Sequence, residues 1–229
     1  MNLAAISESV PLYFNGLLVT IKLLTVALAI GLAFAIPLAV MRASRNKWLS
    51  RPVWCFTYVF CGTPMLVQLF LIYYGLAQFV WIRESIIWPW FSSAWFCAAF
   101  AFALNTCAYT IEIIAGAIRS TNAGEIEAAK SMGMSRGVMI RRILLPSALR
   151  RSLPAYSNEV IFMLHGTSLA SIVTLMDLTG AAREMNSTFY LPFEAFLTAG
   201  AFYLALTFVL VGLFHLAEKR YLVHLRPRT

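Results

Sequence analysis

Five stretches of this chain are long and apolar enough to cross a lipid bilayer, and nothing else in the sequence constrains its fold as strongly. They run over roughly 14–41, 54–82, 94–118, 153–176 and 193–217; a span needs about 20 mainly apolar residues. In hydrocarbon each backbone N–H and C=O must find its partner within the segment, so runs of this length are read as helices. The expectation is an all-α integral membrane protein with about five transmembrane helices. Composition agrees, since 60% of the residues are hydrophobic and 12% charged, against about 25% charged in a soluble domain. The second run exceeds what a bilayer requires, and Cys61-Gly62-Thr63-Pro64-Met65 offers a break inside it. Residues 48–61 are therefore expected to form an interfacial elbow, with the span proper starting near Pro64. Pro37 is a candidate kink in the first span.

The basic residues are distributed unevenly between the loops. Arg42, Arg45, Lys47 and Arg51 occupy one loop, and Arg119, Lys130, Arg136, Arg141, Arg142, Arg150 and Arg151 occupy 119–151. Lys219, Arg220, Arg226 and Arg228 occupy the tail, so of the 18 Lys and Arg only Lys22, Arg83 and Arg183 fall on the opposite side. The positive-inside rule places the N-terminus outside and the C-terminus inside, as an odd number of spans requires. The net charge of +8 is thereby accounted for, and no nucleic acid is expected as a partner. The N-terminus lacks a basic leader and its apolar run is too long for a signal peptide, so it is expected to be the first anchor. Cys55, Cys61, Cys97 and Cys107 lie in or beside apolar stretches without Cys-x-x-Cys spacing and are read as small buried side chains.

The longest cytoplasmic loop, 119–151, carries the charged insert "EIEAAKSMGMSRGVMIRRILLP". Thr121 and Asn122 are candidate caps, and Glu125 and Glu127 sit near a helix N-terminus, where negative charge is favoured. Gly133 can end that helix, and a second helical stretch is expected up to Leu145, before Pro146. An amphipathic hairpin on the membrane surface and a docking element for a partner both fit these residues. No Walker A sequence, zincin motif or Gly-x-Ser-x-Gly occurs, so no catalytic role is expected.

The spacing Glu127-Ala128-Ala129, Gly133, Ile143, Leu145 and Pro146 resembles the loop that marks the membrane subunits of bacterial ABC importers. "GTPMLVQL" (62–69), "NTCAYTIEIIAGAIRS" (105–120) and "LPSALRRSLPAYSNE" (145–159) are similar to the polar amino acid subfamily, most of all to membrane subunits of histidine/lysine/arginine/ornithine permeases. Cys61 departs from the Arg often found before Gly-Thr-Pro, and His165-Gly166 from a Lys followed by Asp or Ser. The resemblance implies a single permease domain over 1–229 of the type I importer fold, in a bacterial cytoplasmic membrane. It further implies that the loop is a coupling helix seated on a cytoplasmic ATPase dimer, which would hold the ATP and magnesium; no cofactor is expected on this chain. A periplasmic substrate-binding protein and a second homologous permease subunit, forming a heterodimer, are the other implied partners. A self-sufficient secondary transporter or channel for cationic solutes is the alternative, though such folds often carry internal repeats and none is visible here.

Ionisable groups within spans are candidates for function, because a charge there costs roughly 2.5–3.5 kcal/mol on insertion scales. Glu112 sits in the third span, where Asn105, Tyr109, Glu112 and Gly116 share a helical face. Glu159 sits in the fourth, with Tyr156, Met163 and Gly166 near its face. Each acid either holds helices together or faces the substrate path; at Glu159 a carboxylate would suit the cationic side chain of arginine, ornithine, lysine or histidine. His165, about 120° round the helix from Glu159, is read as a packing residue. Asp177, Arg183 and Glu184 are expected in a last external loop, solvated or touching the binding protein.

Overall fold

The computed structural model describes residues 3–222, and every regular element within them is helical. Helix α1 (Leu3–Arg42) winds without a break through Pro11 and Pro37. At 1.5 Å per residue its 40 residues extend about 60 Å, twice the hydrocarbon thickness. It forms a spine on which three core clusters are stacked. Near its start Ala5 and Tyr13 pack against Leu178, Ala181, Met185 and Ala195. In its middle Leu23 and Ala27 meet Leu69, Phe102 and Leu164. Near its end Ala35 and Ala39 meet Cys107, Ile111 and Ala115.

Small residues set how closely the helices approach. A Cβ on Gly31 would stand 2.5 Å from the Thr106 methyl, and one on Gly16 would stand 2.7 Å from the Asp177 carbonyl oxygen. Without a hydrophobic drive between helices in lipid, such close backbone packing is a main source of association.

Helix α2 (Lys47–Gly62) starts at Asn46, whose side chain accepts the Trp48 N–H at 3.0 Å. Helix α3 (Met65–Phe70) follows and runs on through a π turn (Leu71–Gly75) and a 3-10 turn (Leu76–Gln78). The two halves meet at 104° across Thr63 and Pro64, which is the break expected there. The elbow anticipated over 48–61 is built into the bundle, because Val53 and Thr57 of α2 are buried against its core. Short helices α4 (Val80–Arg83) and α5 (Trp88–Phe91) lead to α6 (Ala94–Arg119), the most enclosed of the long helices.

Helices α7 (Ala123–Ser131) and α8 (Arg136–Met139) form the insert, and a π turn (Ile140–Leu144) joins α8 to α9 (Leu145–Gly166). A 3-10 stretch (Thr167–Val173), α10 (Leu178–Phe189) and α11 (Pro192–Tyr221) complete the described chain. Among the described residues three helices are long and apolar enough to cross a membrane, or five if each of two bent pairs is one span. The tail residues Arg226 and Arg228 lie outside the described residues.

The structure corrects the sequence reading at four places. The second helical stretch of the insert does not stop at Pro146; the wider π turn, closed by Leu145 N–H to the Ile140 carbonyl, carries it into α9. There Pro146 occupies the first turn, where a missing N–H is tolerated. Residues 178–189 form a helix and not a loop, because Asp177 caps it and Ala181, Ala182 and Met185 give it an apolar face. Thr121 does not cap α7; its hydroxyl accepts from Arg151, and Asn122 takes the cap. Cys55 is exposed on α2, unlike the buried Cys97 and Cys107.

Candidate functional site

Polar side chains converge at the bend between α2 and α3. Breaking a helix within a bundle frees carbonyl groups that need donors, and Gln68 supplies them. Its Nε2 donates to the Phe60 carbonyl (2.8 Å), the Thr63 carbonyl (3.0 Å) and the Thr63 hydroxyl (2.8 Å). Its Oε1 accepts from Asn105 Nδ2 at 3.0 Å. One turn along α6, the Tyr109 hydroxyl donates to the Cys61 carbonyl at 3.3 Å. Asn105 and Tyr109, chosen from their helical spacing, therefore do share one face, and that face is turned to the bend. Gln68 was missed, although a lone amide inside the apolar run "MLVQLF" was a visible signal.

The two acids have different surroundings. Glu112 accepts from Arg42 Nε at 2.7 Å and from the Thr57 hydroxyl at 2.6 Å. One carboxylate oxygen thus ties α6 to the end of α1 and to α2. The Arg42 carbonyl is held in turn by Ser50 (2.9 Å) and by Arg119 (2.7 Å), so this junction is a helix-to-helix clamp. Of the two roles left open for Glu112, the geometry supplies the structural one.

Glu159 on α9 is buried, and no lysine or arginine pairs with it among the described residues. On the neighbouring α6 the buried Thr106 hydroxyl has no hydrogen-bond partner among the described residues. Tyr156 lies one turn before Glu159 on α9, which packs against α6, the helix that carries Asn105 and Tyr109. Met163 is enclosed in the main core at 2% exposure, a packing position, whereas Tyr109 is 39% exposed. His165 is exposed and stands 3.5 Å from the Thr207 hydroxyl.

The insert is a folded unit. Ala129, Met139 and Leu144 form its own small core, with Ile126, Met134 and Ile143 packed around it. Gly133 terminates α7 at φ +73°, a left-handed conformation that favours glycine. Arg151 fastens the end of the insert to its beginning, donating to the Ala117 carbonyl (2.8 Å), Thr121 (2.7 Å) and Ser147 (2.7 Å). Of the motif residues, Glu127, Ala128 and Gly133 are exposed, Ala129 is buried, and Ile143, Leu145 and Pro146 are half-buried.

Around α10, the buried Asp177 accepts from Gly180 N–H (2.8 Å) and from the Tyr203 hydroxyl (3.2 Å). It is a structural cap. Arg183 and Glu184 on the same helix are exposed, as a solvated segment requires.

The profile of the family described as "Binding-protein-dependent transport system inner membrane component" matches residues 18–223. The chain is 48% identical over 215 residues to the histidine/lysine/arginine/ornithine transport system permease protein HisM of Escherichia coli K12, covering 93% of this chain and 90% of the relative. It is 47% identical over 203 residues to the octopine permease protein OccM of Rhizobium meliloti, covering 89% and 83%. To the nopaline permease protein NocM of Agrobacterium fabrum it is 44% identical over 229 residues, covering 100% and 95%. Among solved structures, an amino acid ABC transporter with histidines superposes with a TM-score of 0.85 at 33% identity, covering 96% of this chain and 99% of that one.

Proposed function

The chain belongs to the family of binding-protein-dependent transport system inner membrane components, and on that premise we propose that it moves basic amino acids through its Glu159 face. Members of this family are permease subunits of ABC transporters, which work with an ATPase and a substrate-binding protein; they are not themselves enzymes. That membership sets aside the self-sufficient transporter or channel.

The observation that carries the substrate reading is the contrast between the two acids. Glu112 already has its guanidinium, while Glu159 is buried without a cation among the described residues. A buried charge is strongly unfavourable unless paired, and the side chain of arginine, ornithine, lysine or protonated histidine would supply the partner. Tyr156 lies one turn from Glu159 on the same helix, and Asn105 and Tyr109 are on α6, which packs against it. The names of HisM, OccM and NocM, which carry histidine/lysine/arginine/ornithine, octopine and nopaline, support a substrate of this chemistry.

The insert is the coupling element in this reading. Its self-contained core leaves Glu125, Glu127, Lys130 and Met132 exposed and available to a partner, and Arg151 ties it to α6 so that a push on the loop reaches the Asn105–Glu112 helix. The exposed basic loops favour an N-terminus outside and a C-terminus inside. A second, homologous but different permease subunit would complete the path in a bacterial cytoplasmic membrane.

The test is Glu159→Gln in the assembled transporter. Uptake of arginine or ornithine should fall roughly ten- to a hundredfold, because a charge-assisted hydrogen bond contributes about 1.5–3 kcal/mol. Substrate affinity of the separate binding protein should be unchanged. Full uptake by a well-assembled Glu159→Gln transporter would remove Glu159 from substrate recognition and leave selectivity to the binding protein.

A further inference from the structure

On the face of α6 opposite the polar one, a groove of about 270 Å³ runs between α1, α2 and α6. At 100° per residue, its lining residues Phe100 and Leu104 lie about 100–180° round the helix from Asn105 and Tyr109. The groove shares nothing with the proposed substrate face. Its walls are wholly apolar: Ile30, Phe34 and Leu38 of α1, Phe56 of α2, and Phe100 and Leu104 of α6. The α1 residues repeat every fourth position, so the groove follows the helix for about 12 Å. Ile30 and Phe34 are 43% and 62% exposed, which leaves the groove open on the outer surface of the bundle.

One end of this groove meets a basic turn. Leu38 lies one helical turn, about 6 Å, before Arg42, and Phe56 lies on the helix that starts at Lys47. Between them Arg45, Lys47 and Arg51 are exposed, with no hydrogen bond or ion pair among the described residues. Arg42, in contrast, is committed to Glu112. Trp48, 89% exposed, stands among these cations, and Trp54 and Tyr58 are exposed further along α2. Tryptophan and tyrosine concentrate at the level of lipid headgroups, which places this turn at the membrane surface and the groove below it, in the acyl region.

We propose that this is a binding site for one anionic phospholipid, its headgroup held by Arg45, Lys47 and Arg51 and one acyl chain lying in the α1–α6 groove. Charge complementarity selects the headgroup, since each lysine or arginine near an anionic surface contributes favourably. The apolar walls take the chain and exclude polar ligands. A zwitterionic lipid can fill the groove but does not meet the three cations with net charge, and this difference is what can be measured.

The experiment uses the purified, assembled transporter in detergent, incubated with equal amounts of phosphatidylglycerol and phosphatidylcholine of identical chains, with bound lipid read by native mass spectrometry. The wild type should retain phosphatidylglycerol preferentially. Arg45→Gln together with Lys47→Gln and Arg51→Gln should lower that preference by roughly fivefold for each charge that contacts the headgroup, with both lipids still able to enter the groove. Ala103 of α6 also lines the groove, and Ala103→Phe, which fills it, should lower retention of both lipids while the basic turn stays intact. No preference in the wild type would overturn the proposal, as would an unchanged preference in the triple variant. Absence of either lipid from the intact assembled wild-type complex would assign the face to a protein interface and equally overturn it.

Discussion

The Arg42–Glu112 clamp allows the structural and transport roles of an intramembrane acid to be separated. Glu112 accepts two short hydrogen bonds on a single oxygen, from Arg42 at 2.7 Å and Thr57 at 2.6 Å. The side chains are 15% exposed for Arg42 and 36% for Glu112, so solvent weakens the pair but does not abolish it. A hydrogen bond to a charged group contributes about 1.5–3 kcal/mol when well enclosed, and exposed ion pairs about 0.2–1 kcal/mol. This junction lies between those limits, which sets the expected loss for Glu112→Gln at about 1–2 kcal/mol. Gln keeps the shape and can still accept from Thr57, but it leaves the guanidinium without its counter-charge. The assay is a double-mutant cycle with Arg42→Gln, read as thermal stability and yield of the assembled transporter. Each single variant should lose stability, and the double variant should lose less than the sum of the two, a coupling of about 1 kcal/mol or more. Substrate preference among arginine, ornithine and histidine should not move. Additive losses, or a changed preference in a stable Glu112→Gln transporter, would refute the clamp.

Other outcomes follow from single contacts. Gly16→Ala places a methyl group 2.7 Å from the Asp177 carbonyl oxygen and 2.9 Å from its carbon; both are backbone atoms, so α1 and α10 must separate, at a cost of about 1–3 kcal/mol, seen as a lower melting temperature of the transporter. Gly133→Val forces a β-branched residue to φ +73° and should abolish uptake and ATPase co-purification while the chain remains in the membrane; survival of both would remove the insert from coupling. Glu127→Lys, which changes exposed charge without backbone strain, should impair coupling with the fold intact, measured as uptake at unchanged thermal stability. A reporter active only outside the membrane should give signal when fused near Glu84 or Glu184 and none near Lys130; the reverse pattern would invert the proposed orientation.

The parts of this protein that could be read from the sequence are those governed by local periodicity and spacing. Apolar run length located the helices, because a bilayer demands about 20 apolar residues wherever a chain crosses it. Thr63-Pro64 marked the helix break through the missing proline N–H, and Gly133 marked the end of α7 through its positive φ. The face shared by Asn105 and Tyr109 followed from 3.6 residues per turn, and the spacing from Glu127 to Pro146 carried the resemblance to its family. Tertiary structure decided what depends on contacts distant in the chain. Nothing near Glu112 in sequence announces Arg42, 70 positions away, so one acid proved to be paired with a cation and the other, Glu159, has none among the described residues. Gln68 became the cap of a broken helix only because the 104° bend brings Phe60 and Thr63 within its reach. Asp177 looked like a solvated loop residue, yet the approach of α1 at Gly16 and of α11 at Tyr203 buries it. Hydropathy reports which residues leave water; which polar groups then meet is settled when the helices pack.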